Sequence, residues 1–336
     1  MDTVSLTLTE LHALANEILI AHNTNDINAD EVAAALVAAE ADGQSGHGAS
    51  RIPSYAAQSK SGKVDGHAAP KLKKVAAAAL RVDARGGFAV PAINLGVEAL
   101  VEMTRETGIA AVAIANSHHS GVAAHHVEPI AQAGLIGLSF GNGPQGIAPW
   151  GGNRGLFGTN PIAFAAPRKK AEPMVIDMSL SKVARGRVNV AAQKGEAIPE
   201  GWAVDAKGEP TTDAKAAMEG TMLPMGDAKG AQLVLMVEIL AAALSASHFG
   251  YEASSFFTGE GEPPLVGQFL IAIDPDPLSR NRFGERLEDL FTAILAQPGT
   301  RLPGERRYSL RKEAALNGIS LPKGLHDQLL KLRGER

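Results

Sequence analysis

The stretch Ala110–Phe140, AAVAIANSHHSGVAAHHVEPIAQAGLIGLSF, decides the fold of this chain. Its apolar run Ala110–Ala115 is typical of a buried strand, and Leu135–Phe140 of a second one. The run Val122–Ala133 between them has a helical pattern, and the polar loop Asn116–Gly121 joins the first strand to that helix. Loops placed in this way by a rigid scaffold often carry binding residues. The stretch therefore predicts an α/β core with a ligand-lining loop.

Regular elements alternate on both sides of this stretch. Hydrophobic patterns predict further strands at residues 75–82, 162–165, 174–178 and 267–273, and further helices at residues 92–107, 181–192, 231–247 and 278–295. Towards the two chain ends only helices are predicted. Thr7 and Asn28 have the spacing of helix caps, and Arg51–Lys60 forms a short helix. The segment from Arg306 is basic and helical.

This arrangement predicts a mixed α/β fold with a central sheet. We expect a central region at residues 71–279 and a helical domain that residues 1–70 and 280–336 build together.

Composition excludes several classes of protein. The chain has 336 residues, and 32 Lys and Arg against 36 Asp and Glu leave a net charge of −4. This balance argues against nucleic acid or an anionic membrane as a partner. Cysteine is absent, which excludes disulfides, a thiolate nucleophile and cysteine-bound zinc or iron. Residues 1–8 lack the basic start and apolar run of a secretory signal, so we expect a cytoplasmic protein.

The motif GNGPQG at residues 141–146 follows a predicted strand and has the spacing of a dinucleotide-binding fingerprint. That fingerprint requires a helix whose N-terminus holds the pyrophosphate. Pro149 and the pair Gly151-Gly152 argue against a helix here. We therefore expect a fold that is not a Rossmann fold.

Histidines are concentrated in the central stretch. The pairs His118-His119 and His125-His126, with Glu128, could be interpreted as a metal site. Their spacing is not the i, i+4 pair that one helix presents to zinc, so no metal is predicted. Surface histidines and a ligand-lining loop are both compatible with the pattern.

His47 and Arg51 are four residues apart beside the glycine-rich break at residues 43–48, and on a helical turn they would share a face. A histidine can donate a proton near neutral pH, and an arginine grips a carboxylate with two hydrogen bonds. Together they suit a substrate with a carboxylate beside a reacting carbonyl or imine carbon. Taken without context, an ordinary surface pair is the alternative.

An ordered series of motifs adds a resemblance that covers nearly the whole chain. The motifs are GHGASR at 46–51, NSHHSG at 116–121, GTNP at 158–161, DMS at 177–179, ARG at 184–186, PEGW at 199–202, AKG at 228–230 and LPGERR at 302–307. Together they resemble the type-2 malate/L-lactate dehydrogenase family. Each motif is weak alone, but the series in family order is specific.

The resemblance implies an NAD(P)-dependent oxidoreductase of 2-oxo and 2-hydroxy acids. The family also contains ureidoglycolate dehydrogenases and a branch that reduces two cyclic imines, Δ1-piperideine-2-carboxylate and Δ1-pyrroline-2-carboxylate. It implies a non-Rossmann fold in which a largely antiparallel sheet binds an extended nicotinamide cofactor, and it implies a homodimer. Residues 71–279 are then the cofactor- and substrate-binding region.

The resemblance also assigns residues by position. His47 corresponds to the proton donor and Arg51 to the carboxylate clamp. Further substrate contacts are implied at Thr159, Arg185 and Gly186. The implied cofactor surface comprises His119, Ser120, Gly121, Val122, Ala123, Asp177, Met178, Ser179, Ala228, Lys229, Pro303, Gly304, Glu305, Arg306 and Arg307.

Three positions depart from the family pattern. Gly46 stands where the family usually has a serine before the histidine, and Ala228 replaces a histidine before the lysine. Arg187 stands where the imine branch has an aspartate, so that branch's serine–aspartate relay is missing. Residues 229–238 and 253–257, in contrast, resemble the imine branch.

Three functional hypotheses follow. The first is an oxidoreductase that exchanges a hydride between a nicotinamide cofactor and C2 of a small 2-oxo or 2-hydroxy carboxylic acid. The second is a cyclic-imine reductase, and the third is a degenerate member that binds nucleotide without turnover. The cofactor is NADPH or NADH, and the pair Arg306-Arg307 favours the 2′-phosphate of NADPH.

Overall fold

A computed structural model describes residues 2–334, with all side chains in that range except that of residue 193. The strands are β1 (Thr3–Leu6), β2 (Lys71–Ala76), β3 (Ala79–Asp83), β4 (Ile109–Ser117), β5 (Ile136–Gly141), β6 (Ile162–Ala166), β7 (Met174–Met178), β8 (Ala203–Val204), β9 (Pro210–Thr211), β10 (Thr221–Met222), β11 (Val266–Ile273) and β12 (Ile319–Pro322). The α-helices are α1 (Leu8–Ala21), α2 (Asp26–Ala41), α3 (Ile52–Ser61), α4 (Ala89–Thr107), α5 (Ala124–Gln132), α6 (Arg185–Lys194), α7 (Ala214–Glu219), α8 (Asp227–Glu238), α9 (Pro275–Ser279), α10 (Phe283–Leu295), α11 (Glu305–Asn317) and α12 (Lys323–Gly334).

A seven-stranded sheet lies at the centre of the described residues, in the order β2-β3-β4-β11-β5-β6-β7. Neighbouring strands are antiparallel except for the parallel pair β3 and β4. No helix follows β5 at the glycine motif of residues 141–146, where the chain forms turns. The predictions of a mixed, largely antiparallel sheet and of a non-Rossmann fold are confirmed.

The two faces of the sheet are covered by different helices. Alternate residues of β11 point to opposite faces, so Leu270 packs with the α4 cluster while Phe269 packs with the α8 cluster. Helix α5 packs on β5 and β6 beside α4. β7 is left as an edge strand with one described neighbour, β6.

Elements from both ends of the chain pack together. β1 pairs with β12 in an antiparallel ladder from Thr3↔Pro322 to Leu6↔Ile319. Leu14, Tyr55 and Leu329, from α1, α3 and α12, belong to one buried cluster. Helix α10 instead lies against the chain between β6 and β7, where Arg168 forms an ion pair with Glu288 (2.7 Å). The predicted division into two domains stays a prediction.

A small lobe follows β7. It contains the three-stranded sheet β10-β8-β9 and helices α6 and α7, which share a buried cluster around Val188, Ile198 and Ala217. This lobe carries Arg185 and Gly186 in the first turn of α6.

Several predicted boundaries were wrong, for identifiable reasons. Residues 75–82 form the end of one strand, a turn and the start of the next, because β2 and β3 make a hairpin. The cap of α2 is Asn25, since the side chain of Asn28 is buried and donates to the carbonyl oxygen atoms of Gly66 (2.9 Å) and Ala68 (3.0 Å). The helix predicted at residues 278–295 is interrupted at residues 280–281, where φ is positive.

Helix α8 continues directly into a π-helical turn at Ile239–Ala243, so the predicted helix at residues 231–247 is only partly α-helical. No α-helix of the described residues is long and apolar enough to span a membrane.

Candidate active site

His47 lies in a short turn that leads from α2 into α3, which we call the catalytic turn (Ser45–Arg51). Glu40 of α2 fixes this turn, because its carboxylate accepts a hydrogen bond from the backbone N–H of Ala49 (2.8 Å). The same carboxylate occupies the space that a side chain at Gly48 would need. Burial raises the pKa of Glu40. The turn therefore depends on glycine at position 48.

Arg51 is hydrogen-bonded at one edge and has an unpartnered nitrogen at the other. Its Nε donates to the carbonyl oxygen of Gly46 (2.7 Å), and its guanidinium lies 4.5 Å from the ring centre of Phe257. Nη1 is buried and has no hydrogen-bond partner among the described residues. Burial lowers the pKa of Arg51. The terminal edge of the fork remains available for the two oxygen atoms of a carboxylate.

His47 stacks on His119 of the polar loop Asn116–Gly121, which we call the central loop, with ring centres 5.2 Å apart and ring planes inclined by 8°. The hydroxyl of Tyr55 is hydrogen-bonded to Nδ1 of His119 (2.6 Å). Burial, assisted by the charge of Arg51, lowers the pKa of His47 to about 4. It also places the pKa of His119 well below its ordinary value. Both rings are neutral at pH 7 in this state, and a bound anion near Arg51 would favour protonation of His47.

His118, the neighbour of His119, is fully enclosed. Its Nε2 donates to Oε1 of Gln58 (3.0 Å), and Phe88, Tyr55 and Phe256 pack around its ring. Burial lowers the pKa of His118 to about 3. This histidine supports the wall of the site, whereas His119 faces His47.

A second group of charges lies where α5 and α11 meet the C-terminal end of α2. We call it the ionic cluster; it comprises Asp42, His125, Glu128, Arg307 and Arg311. The buried carboxylate of Asp42 accepts from His125 (2.8 Å) and from Arg311 (2.8 and 2.9 Å). Arg311 also bonds Glu128 (2.6 Å). Burial alone would raise the pKa of Asp42, but the bonds from His125 and Arg311 lower it below its usual value.

The predicted cofactor segments meet around β7. Asp177 accepts a hydrogen bond from the backbone N–H of Ala124 (2.9 Å), which joins β7 to the central loop and α5. Gly304 lies against the backbone of Val175, where a side chain would be only 3.3 Å from its nearest neighbours. The structure thus brings segments 119–124, 175–179 and 303–307 together.

Two more predicted segments join β7 at its far end. Leu180 donates its N–H to the carbonyl oxygen of Thr159 (2.8 Å), and Met225 donates to the carbonyl oxygen of Leu180 (2.8 Å). The second bond joins the segment after β7 to the turn just before α8, whose first residues include Ala228 and exposed Lys229. Residues 159, 180 and 225 are therefore neighbours.

Two cavities adjoin residues that the resemblance assigns to the cofactor. A cavity of about 60 Å³ beside His47 is lined by Ser120, Gly121 and Val122, and a groove of about 800 Å³ is lined by Pro303 and Glu305. The larger volume lies in the range of small-molecule sites. These are five of the residues that the sequence assigns to the cofactor.

The arginine pair at residues 306–307 is divided between two environments. Arg307 is buried, with its guanidinium 3.4 Å from Asp42 and 3.7 Å from Asp177. Arg306 is exposed. Of the two, only Arg306 is open to a 2′-phosphate from solvent.

Arg185 and Gly186 are not in contact with the catalytic turn. The guanidinium of Arg185 donates to the carbonyl oxygen atoms of Gln145 (3.4 Å) and Met218 (3.2 Å). The glycine motif at residues 141–146 bridges the gap, because Gly143 adjoins Phe256 and Gly146 adjoins Arg185. A motif that the sequence excludes as a Rossmann turn thus lies between the two substrate-binding predictions.

No group of three or more histidine or acidic side chains suitable for a metal ion is present within residues 2–334. His125 belongs to the ionic cluster, and His126 is hydrogen-bonded to Ser120 and Ser139. The histidine pairs therefore have structural partners.

Sequence reasoning missed four residues that build the site: Tyr55, Gln58, Lys63 and Phe256. Gln58 bonds both His118 and the backbone of Phe256, and Lys63 bonds the segment after Phe256. None of them forms a motif. Phe256 alone was indicated by the sequence, because residues 253–257 resemble the imine branch.

The known proteins that this chain resembles are dehydrogenases and reductases. The malate/L-lactate dehydrogenase family model matches residues 6–330. The chain is 52% identical to the (2R)-3-sulfolactate dehydrogenase (NADP(+)) of Chromohalobacter salexigens, over 96% of each protein. It is 44% identical to a Δ1-pyrroline-2-carboxylate/Δ1-piperideine-2-carboxylate reductase of Pseudomonas putida, over 95% of this chain and 94% of that one. The crystal structure of Δ1-piperideine-2-carboxylate reductase from Pseudomonas syringae superposes with a TM-score of 0.92 at 39% identity, covering 98% of this chain and all of that one.

The fold and the site define an NAD(P)-dependent oxidoreductase. The chain belongs to the malate/L-lactate dehydrogenase family, as its motifs predict. The assignment of individual site residues stays a prediction.

Proposed function

We propose that the protein exchanges a hydride between NADP(H) and C2 of a small 2-oxo or 2-hydroxy acid that carries a second anionic group, of the 3-sulfolactate type. The observation that carries this proposal is the arrangement of His47 and Arg51, a stacked histidine beside a guanidinium with a free terminal edge. Such a pair can orient a carboxylate and move one proton at the neighbouring carbon's oxygen.

The residues divide the work as follows. When bound, the nicotinamide supplies or accepts the hydride. Arg51 holds the substrate carboxylate, and His47 gives a proton to the oxygen on C2 in reduction or removes it in oxidation. Tyr55 fixes the orientation of His119 through a hydrogen bond, and the ring of His119 stacks on His47 and fixes its orientation in turn. Phe256 packs on His119 and excludes water from that side.

A second anionic group has a candidate partner in Arg185. Both of its hydrogen bonds go to uncharged carbonyl groups at 3.2 Å or more, so the guanidinium charge is not neutralised by them. The 52% identity to a sulfolactate dehydrogenase supports a sulfonate in this role. NADP(H) is supported by that relative's name and by exposed Arg306.

Cyclic-imine reduction is the second candidate function. Identities of 44% and 39% to imine reductases favour it. Against it, Arg187 stands where that branch has an aspartate and Gly46 replaces the serine, and Nδ1 of His47 is buried with no partner among the described residues. The proton relay of that branch thus lacks its serine hydroxyl.

A substrate panel separates the hypotheses. NADPH and NADH oxidation would be followed with 3-sulfopyruvate, oxaloacetate, pyruvate and the two cyclic imines. We expect the highest kcat/KM with 3-sulfopyruvate and NADPH, and Arg185→Leu should lower it more for 3-sulfopyruvate than for pyruvate. Activity on the imines alone would overturn the proposal, and silence across the panel with NADPH binding intact would favour a degenerate nucleotide-binding member.

We further propose a cytoplasmic homodimer in which a second copy covers the outer face of α8. Five large apolar side chains are exposed on α8 and the π-helical turn that continues it: Leu233, Leu235, Met236, Ile239 and Leu244. Between residues 230 and 247 the one ionisable side chain is Glu238, which is buried. A helix that is apolar all round is normally covered, and a charge-free face is complementary to its own copy.

Analytical ultracentrifugation tests this arrangement. Met236→Glu should convert a dimer into a monomer, whereas Ile27→Glu, at an exposed aliphatic position on α2, should leave the dimer intact. A parent protein that sediments as a monomer would refute the homodimer.

A further inference from the structure

Lys63 is a buried lysine with an unusual set of partners. Only 3% of its surface is exposed, yet its ammonium group donates to three backbone carbonyl groups. The acceptors belong to Ser255 (2.7 Å), Thr258 (3.0 Å) and Glu260 (2.7 Å). An ammonium group has three N–H donors, and all three are used.

The three acceptors lie in one segment, which we call the aromatic loop (Ala253–Glu262). Two residues of α3 hold the same loop: Gln58 donates to the carbonyl oxygen of Phe256 (3.0 Å), and Ser61 to that of Gly259 (2.8 Å). Gly259 lies so close to α3 that a side chain would be 2.8 Å from the carbonyl oxygen of Ala57. The loop is therefore attached to α3 through its backbone.

The aromatic loop also touches both parts of the candidate active site. Phe256 packs on His119 with ring centres 5.1 Å apart, and Phe257 lies 4.5 Å from the guanidinium of Arg51. Phe257 is 64% exposed, so its position depends on the loop backbone more than on burial of its ring. Contacts that fix the backbone of the aromatic loop therefore also fix the Phe257 ring beside Arg51.

We propose that Lys63 is a positioning residue, which holds the aromatic loop on α3 so that Phe257 keeps Arg51 in its substrate-binding orientation. This inference rests on the proposed role of Arg51 as the carboxylate clamp. Lys63 itself touches neither the catalytic turn nor the predicted cofactor surface in the contacts described above. Its effect is on the binding of the acid and not on the binding of the cofactor.

The first test is Lys63→Met, which keeps the length of the side chain and removes its donors. We expect KM for the oxo acid to rise about fivefold, a magnitude typical of losing a cation–π contact at an exposed site. The dissociation constant of NADPH, measured by fluorescence titration, should stay within about twofold. Lys60→Met, at an exposed lysine in the last turn of α3, is the matched control and should leave both values unchanged.

A double-mutant cycle separates positioning from general destabilisation. Phe257→Leu removes the ring beside Arg51 and leaves Lys63 intact. If Lys63 acts through that ring, the double variant should have the KM of the worse single variant, because the two changes remove one interaction. Effects on KM that multiply, or an unchanged KM in Lys63→Met, would overturn the proposal.

Gly259→Ala provides a second variant if Lys63→Met fails to fold. The added methyl group pushes the exposed loop away from α3 without altering the lysine, and it should reproduce the rise in KM. An unchanged KM in this variant would contradict the proposal.

Chymotrypsin gives a readout that does not depend on activity. Lys63→Met should be cleaved faster than the parent after Phe256 or Phe257, as identified by mass spectrometry, while Lys60→Met should match the parent. If Lys63→Met is cleaved faster but the parent has no turnover, the proposed function is wrong and the loop attachment is still supported. If Lys63→Met and an active parent are cleaved at the same rate, the proposed loop attachment alone is wrong.

Discussion

The catalytic turn and the ionic cluster use the same residue types in opposite ways. In the ionic cluster, Arg311 is neutralised by Asp42 and Glu128 at hydrogen-bond distance. In the catalytic turn, Arg51 has a carbonyl group and an aromatic ring as partners. One arginine is therefore satisfied by the protein, and the other retains binding capacity for an anion.

The histidines differ in the same way. His125 donates to a buried carboxylate (2.8 Å), whereas His47 stacks on a second neutral imidazole. In this protein, the charged groups of the scaffold are paired with opposite charges, whereas those of the candidate site are not. Four predictions test that distinction.

The largest effect is expected for His47→Ala. Loss of a positioned acid–base group typically lowers turnover by about 10²–10⁴-fold. NADPH affinity should be retained, because the ring is not needed to hold the cofactor. Steady-state kinetics and fluorescence titration would check both values, with His67→Ala, an exposed histidine, as control. A variant with parental turnover would refute the role of His47.

The pH dependence should reveal the neutral state of His47. Reduction needs the protonated ring, and above a pKa of about 4 the protonated fraction falls tenfold per pH unit. The kcat/KM for reduction should therefore fall between pH 5 and 8, while that for oxidation, which needs the neutral ring, should be level. Groups that act on this titration are Arg51, Asp177 and His125. A reduction profile that is flat over this range would contradict the prediction.

Asp42→Asn should break the ionic cluster without touching the catalytic turn. Removing one partner of a buried ion pair costs about 3–5 kcal/mol, so the free energy of unfolding should fall by that order. Urea denaturation would measure it. Glu102→Gln, which removes an exposed ion pair with Arg105, should cost about 1 kcal/mol or less. If the free energy of unfolding falls equally in the two variants, the buried ion pairs do not differ in strength from the surface pairs.

The smallest effect is expected for Tyr55→Phe. It removes the hydroxyl that is bonded to His119 and leaves the packed ring in place. A hydrogen bond of this kind contributes about 1 kcal/mol, so the free energy of unfolding should fall by about that amount and kcat by about fivefold. Thermal unfolding and kcat would be measured together, and a loss of stability without a loss of kcat would make Tyr55 structural only.

The sequence predicts the strands and helices of the central stretch because each has a clear hydrophobic period. It does not predict the β2–β3 hairpin, since the turn after Ala76 consists of alanine and has no glycine or proline signal. It misplaces the cap of α2 because the polar side chain of Asn28 is used for a contact with residues 66 and 68. Local patterns cannot reveal such tertiary contacts.

The candidate site shows the same limit. His47, Arg51 and the segments around β7 lie in motifs, and the structure brings most of them together. Lys63 and Gln58 lie in no motif, because their partners are backbone carbonyl groups almost 200 residues further along the chain. Backbone atoms are alike at every position, so no residue pattern encodes these bonds.

The pairing of β1 with β12 has a consequence for the order of folding. The layer that carries the catalytic turn includes Leu321 and Leu329, and its strand at Thr3–Leu6 has its partner at the opposite end of the described chain. Closing so long a loop is entropically costly and slow. The sheet can assemble from nearer partners, so His47, the proposed proton donor, should reach its final position late in folding.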